Sequence, residues 1–165
     1  MNNVFIAFGG NLGDVLSNFR SARQNIAQLE GIHVTRSSLL YRTPPLGPAG
    51  QPDYLNAMIV AESELKPLAL LTVLQTIETQ HGRIRAEHWG ARTMDLDIIA
   101  MDSLVIDYER LSIPHPQMHH RQFVLRPLCD IEPNWQHPNL NKTASQLLNA
   151  LLLAGESALP QGIAW

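Results

Sequence analysis

The residues predict an α+β fold: one antiparallel sheet with helices packed against it. Three observations carry this expectation. Apolar, β-former-rich runs alternate with two amphipathic stretches in the order β-α-β-β-α-β. Glycine and proline punctuate the junctions between them. The chain has 165 residues and 45% hydrophobic content, which suits a single domain, residues 1–165, with a sizeable core.

The elements follow in order. NVFIAF (3–8) reads as the first strand, and GGNLGD as a glycine-rich turn that needs positive φ. Asp14 is placed to cap the next helix, in which Leu16, Phe19, Ile26 and Leu29 form an apolar face and after which Gly31 is a stop signal. Residues 32–43 form a second strand, and PPLGPAGQPD is a loop. YLNAMIVAES (54–63) is a third strand. Residues 66–82 form a helix with Pro67 near its start and Gly82 at its end. Residues 83–92 are a polar connection to the fourth main strand, TMDLDIIAM (93–101). LVID adds a short hairpin strand, a last helix lies near 143–153, and ALPQGIAW reads as a tail. This is the ferredoxin-like βαββαβ order, with two helices over one sheet face and a C-terminal elaboration.

Composition excludes several classes. No apolar run approaches membrane-spanning length, and MNNVFIAFGG lacks the charged start and long apolar stretch of a signal peptide, so a cytoplasmic protein is expected. The single Cys129 rules out an intrachain disulfide framework and a multi-cysteine metal site. A net charge of −3 argues against nucleic acid as a partner, and no strand carries the aromatic motif of RNA-recognition modules. Yet ten of the 12 basic residues are Arg, and Arg83, Arg85, Arg92, Arg110, Arg121 and Arg126 fall within one third of the chain. The guanidinium fork matches phosphate oxygens bidentately, so this cluster suggests a specific anionic ligand, against the plainer reading of surface ion pairs.

The chemistry concentrates in GARTMDLDII (90–99). Residues two apart on a strand share a face, so Asp95 and Asp97 crowd two like charges together. Either the outer face of the strand is simply polar, or the pair holds a hard cation such as Mg²⁺, which takes one or two carboxylates and completes its shell with water and phosphate oxygens. The arginines nearby favour a triphosphate site. No phosphate-loop motif G-x-x-x-x-G-K-[ST] is present, so Arg and metal would carry the phosphates. Trp89, within the polar stretch 83–92, either stacks on a ligand as the loop closes or anchors the loop to the body. The rigid, proline-rich loop at 44–53, with Tyr54 and Asn56 two apart on the following strand, can present polar groups to a flat heterocycle. His115, His119 and His120 raise a zinc reading, but Pro114 and Pro116 disfavour a helix that would align His115 with His119, and His115 fits a phosphate contact better.

HWGARTMDLDII, with GGNLGD, YRTPPLGPAGQPDYLNA, QTIETQHGRIR and IPHPQMHHRQFVLRPLCDI in the same order, resembles the 6-hydroxymethyl-7,8-dihydropterin pyrophosphokinase family from about residue 3 to 133. The resemblance implies pyrophosphoryl transfer from ATP to a pterin hydroxymethyl group in folate biosynthesis, with two Mg²⁺ ions, by a monomer. It makes Asp95 and Asp97 metal ligands, and Arg83, Arg92, Asp95 and Asp97 the catalytic set. It assigns Leu71, Gln75, Glu78, Arg85, Trp89, Arg92, Ile98, Arg110, Ser112, His115 and Arg121 to ATP. It assigns Thr43, Pro44, Leu46, Tyr54, Asn56, Phe123 and the lid residue Trp89 to the pterin. The chain departs from the family pattern with Gly10 in place of a common Ser, and with His88 and Ala91 beside Trp89.

Overall fold

The computed structural model describes residues 1–45, 49–82 and 93–165. Five strands form one antiparallel sheet: β1 (Asn2–Gly10), β2 (Ile32–Ser37), β3 (Tyr41–Thr43), β4 (Tyr54–Ser63) and β5 (Asp95–Met101). Its order is β2-β4-β1-β5, with β3 also paired to β4. A separate hairpin joins β6 (Ile106–Asp107) to β7 (Ser112–Ile113). Helices α1 (Val15–Ala27), α2 (Pro67–Gln80), α3 (Gln122–Ile131) and α4 (Ala144–Leu153) complete the fold.

The sheet is covered on both faces. Val4, Ile6 and Phe8 of β1 point one way with Ala57, Ile59, Leu96 and Ile98, and meet Phe19, Ile26, Leu70 and Leu74 of α1 and α2. Phe5 points the other way with Met58, Val60 and Ile99, and meets Val124, Leu125, Leu128, Leu147 and Leu148 of α3 and α4. Double coverage explains why the middle strands read as nearly continuous apolar runs. Asp14 does cap α1, its carboxylate accepting the Ser17 amide N–H. α2 begins with Pro67 at its first position, and Gly82 follows its end at φ 80°.

Several expectations need correction. Gly9 and Gly10 are not turn residues: both lie in β1, and in GGNLGD only Gly13 has positive φ, 77°. The expected second strand is two strands, because the chain leaves the β4 ladder at residues 38–40 and rejoins it at Tyr41. α3 was not foreseen. Pro127 sits inside it and removes one helical N–H bond, but Val124, Leu125, Pro127, Leu128 and Ile131 are all buried against the sheet, and that burial outweighs the loss. The tail is docked rather than loose. Ile163 bridges to Leu40, and the Trp165 ring packs edge-on against Phe8 and Phe19 with Arg23 3.9 Å over its centroid.

The Asp14 cap gives a direct expectation. Asp14→Ala should cost about 1 kcal/mol of stability, while Asp14→Asn should cost almost nothing, because Asn caps as well as Asp. Urea denaturation of the two variants checks this.

Candidate active site

β1 is the hub of the site. Gly9 pairs with Asn56 of β4 on one side and with Asp95 of β5 on the other. Ala7 likewise stands between Met58 and Asp97. Asn56 and Asp95 therefore lie in one row, about 9.6 Å apart across two strand spacings, with no side chain between them. A Cβ on Gly9 would lie 3.5 Å from Asn56 Oδ1, so the amide oxygen borders the gap that Gly9 leaves open. Sequence reasoning missed Gly9. The signal was there in the strand alternation of NVFIAFGG, which continues through it.

Asn56 and Thr43 are both buried, and Asn56 Nδ2 donates to Thr43 Oγ1 at 2.8 Å. That bond fixes the amide orientation and turns Oδ1 away from Thr43. Tyr54 is half-buried, opposite Thr43 in the β3–β4 ladder, and Pro44 follows Thr43 and is exposed. Phe123, half-buried at the start of α3, packs against the same sheet face, with the Arg121 guanidinium 5.7 Å over its ring. Thr43, Asn56, Phe123, Asp95 and Asp97 thus gather around one face and one end of the sheet.

The second half of the site is a cleft of about 320 Å³ along the outer side of β5. Leu71, Gln75 and Glu78 of α2 line it, with Asp97 and Ile98 of β5, Arg110, Ser112 and His115. Sequence reasoning had singled out each of these. It missed Leu96, Glu109, Leu111 and Pro116, which also line the cleft. Glu78 is almost fully buried, and its carboxylate accepts the Leu96 amide N–H at 2.7 Å, between the two aspartates. This bond ties β5 to α2 where Asp95 and Asp97 project.

His115 Nδ1 accepts the Gln117 amide N–H at 3.1 Å, which places its proton on Nε2. Burial, then the nearby Arg121 cation, pushes its pKa down to about 4. At neutral pH it is an uncharged donor, not a cation. Its own amide N–H donates to Ile99 O at 2.8 Å and fastens the 111–116 segment along the β5 edge.

Leu46, Arg83, Arg85, Trp89 and Arg92, and with them the closing loop, fall outside the described residues. His119 and His120 stack at 3.9 Å, with His137 6.2 Å from His119, and burial lowers the pKa of both His119 and His137. Among the described residues no group of three or more His, Cys, Asp or Glu is placed to hold a metal ion. No helix among them is long and apolar enough to cross a membrane.

The depressed pKa of His115 fixes the sign of a pH effect. A neutral folded-state imidazole contributes stability that is complete above pH 6.5, its ordinary value, and is lost as pH falls toward about 4. His115→Gln should flatten the acid limb of the stability curve in this window, leaving the smaller slope from His119 and His137. Denaturant titrations from pH 7 to 4 on both proteins check it; an unchanged slope would place His115 in solvent.

Comparison with known proteins places the chain in a family. Residues 5–133 match the family described as 7,8-dihydro-6-hydroxymethylpterin-pyrophosphokinase. The chain is 43% identical over 152 residues to the 2-amino-4-hydroxy-6-hydroxymethyldihydropteridine pyrophosphokinase of Haemophilus influenzae, covering 92% of each. To the Synechocystis protein of the same name it is 46% identical, over 87% of this chain and 73% of that one. Among solved structures, a Plasmodium falciparum HPPK-DHPS triple mutant superposes with a TM-score of 0.71 at 16% identity, which shows likeness of fold; this chain spans 42% of that longer one. The aspartate pair, the cleft along β5 and the buried Thr43–Asn56 contact all lie within a chain that belongs to the 7,8-dihydro-6-hydroxymethylpterin-pyrophosphokinase family.

Proposed function

We infer that the β5-edge cleft and the Gly9 gap are the two halves of one transfer site. The chain transfers the pyrophosphoryl group of ATP to 6-hydroxymethyl-7,8-dihydropterin in folate biosynthesis, giving the pterin diphosphate and AMP. The observation that carries the residue assignment is the row Asn56–Gly9–Asp95. It leaves a stretch of β1 without a side chain beside the carboxylates, with the cleft along β5 next to them.

In the nucleotide half, Leu71 and Ile98 supply apolar walls, and Gln75, Glu78 and Ser112 polar contacts. Leu96 directs its amide N–H away from β1, to Glu78. Strand alternation aims the Ile98 amide to the same side, into the cleft, where a flat base with edge acceptors fits. Neutral His115, through Nε2–H, and Arg110 and Arg121 meet the phosphates. In the pterin half, Asn56 Oδ1 accepts from the amino-amide edge of the heterocycle, Thr43 holds Asn56 in place, and Tyr54, Phe123 and Pro44 enclose the rings. Leu46 completes this pocket by resemblance.

Asp95 and Asp97 fit Mg²⁺ by donor chemistry: two hard carboxylates on one strand face, half-buried and exposed respectively, with room for phosphate oxygens. Two ions there, when bound, supply charge neutralisation along the triphosphate. Phosphoryl transfer depends chiefly on positioning and charge, so the protein's task is to set the pterin hydroxyl in line with the β-phosphorus. The rigid β1 ladder performs the alignment, and Asp97 orients the hydroxyl. Arg83 and Arg92 offset charge on the transferred group, with Arg85 on the nucleotide and Trp89 closing over both substrates, by resemblance. We read the fold as ferredoxin-like with a C-terminal elaboration, and residues 1–165 as one catalytic domain. We read it as a cytoplasmic monomer, and its net charge of −3 supports a reading without a nucleic-acid partner.

ATP labelled at the β-phosphorus tests the reaction. Label should appear in pterin diphosphate, with AMP formed in equal amount; ADP and pterin monophosphate would refute the assignment. Asp95→Asn and Asp97→Asn should each cut turnover at least about a hundredfold, because losing several kcal/mol of charge stabilisation costs tenfold per roughly 1.4 kcal/mol. The apoprotein should keep or gain thermal stability, since two crowded like charges become one. Full turnover in both variants would remove the metal from this strand.

A further inference from the structure

The 38–40 segment between β2 and β3 has left the sheet ladder, so its backbone groups need other partners. The last residues of the sequence supply three of them. Leu40 N–H donates to Ile163 O at 2.7 Å, Ile163 N–H donates to Leu40 O at 3.0 Å, and Trp165 Nε1–H donates to Ser38 O at 2.7 Å. The rest come from the body and the segment itself: Ser38 N–H goes to Met58 O, Leu39 N–H goes to Asp130, and Leu39 O accepts from Ser38 Oγ, which in turn accepts the Met58 amide. Arg23 fixes the strap from below, donating to Trp165 O at 3.0 Å and to Ser37 Oγ at 3.2 Å while its guanidinium lies over the indole. Upstream, buried Gln122 pins the same stretch, donating to Ser157 O and accepting the Leu159 amide. At Gly162 even a methyl group would lie 2.7 Å from Leu39 Cβ and 2.9 Å from the Tyr41 ring, so backbone lies directly on those side chains.

The clamped segment leads straight into the pterin half of the site. Leu40 precedes Tyr41, which pairs with Asn56, and Thr43 two residues on accepts the Asn56 amide. Met58, bonded twice to Ser38, is two residues from Asn56 on β4. β3 is only three residues long, at the short end for a strand. We propose that residues 162–165 act as a positioning strap for the pterin subsite, holding β3 so that Thr43 fixes the Asn56 amide, while the nucleotide cleft, on the far edge of the sheet, is independent of them. This rests on the placement of the pterin against Thr43 and Asn56.

The test uses the full chain with Trp165→Phe, Trp165→Ala and Ile163→Pro, the last removing the N–H donated to Leu40. Calorimetry measures the affinity of a non-hydrolysable ATP analogue, then of 6-hydroxymethyl-7,8-dihydropterin on the analogue-saturated protein. Trp165→Ala and Ile163→Pro should weaken pterin binding about tenfold and leave the analogue within about twofold, with faster exchange of the Leu40 amide. Trp165→Phe keeps the ring but not the N–H, so it should be intermediate, and it serves if the other two fail to fold. Ile26→Val, buried on α1 but outside the hydrogen bonds that hold the strap, should lower Tm without this selectivity. Pterin affinity unchanged, both ligands weakened in parallel, or the same selectivity in Ile26→Val would overturn the proposal. Asn56→Ala separates the two levels: full pterin affinity in that variant means the pterin lies elsewhere, whereas lost affinity there with intact affinity in the strap variants leaves the subsite standing and removes the strap.

Discussion

The register of β1 is the constraint from which the site follows. This strand pairs with β4 along one edge and β5 along the other, so one ladder of backbone hydrogen bonds sets where Asn56 stands relative to Asp95. A slip of one residue would turn every side chain of β1 to the opposite face. It would bury Ala7 and Gly9 among α1 and α2 and push Phe8 into the gap. The cores on the two faces forbid that slip: Val4, Ile6 and Phe8 are fully enclosed on one side, and Phe5 meets Trp135 on the other. The hydrophobic pattern that folds the sheet therefore also fixes the spacing of the site, and the central strand contributes an absence of side chain at Gly9.

The electrostatics lean toward the ligands. Glu78, Asp95 and Asp97 bring three acids to one end of β5, and burial of Glu78 makes its charge costly. The short bond from the Leu96 amide offsets part of that cost and keeps the strand from drifting. His115 contributes a hydrogen bond without a positive charge. In the proposed site, a metal–nucleotide complex would bring cations to these carboxylates.

Local rules made much of this legible. Asp14, Pro67 and Gly82 marked helix ends because capping and proline geometry are local. Asp95 and Asp97 stood out because two charges interrupt an apolar strand. What stayed hidden depended on distant partners. Pro127 argues against a helix from the sequence alone, and only the sheet face beneath α3 overrules it. Ile163 and Trp165 sit in a stretch that looks like a tail until Leu40, Ser38 and Arg23 are known to need them. Gly9 and Gly10 were misread as a turn because glycine is commoner there, although the alternation of β1 runs through both. Leu96, Leu111 and Pro116 were missed because apolar lining of a cleft looks like core in one dimension.

The placement of β5 suits the proposed arrangement of two flat ligands on one sheet. As an edge strand it offers three surfaces: its two faces and its free backbone edge. Exposed edges invite pairing with other chains, and proteins commonly cover them. Here the cover is partial. The 111–116 segment bonds to Ile99 O, and Glu78 takes the Leu96 amide, which leaves the Ile98 stretch facing the cleft. The face shared with Asn56 carries Asp95 and Asp97, and the opposite face sends Leu96 and Ile98 into the core and the cleft wall. In the proposed arrangement, a nucleotide base at the edge and a pterin over the face would meet where the phosphates cross the strand, and there the two aspartates project. A central strand could not do this, because its edges are already spent on neighbours. The position of the carboxylates on the outermost strand is therefore as much a part of the chemistry as their charge.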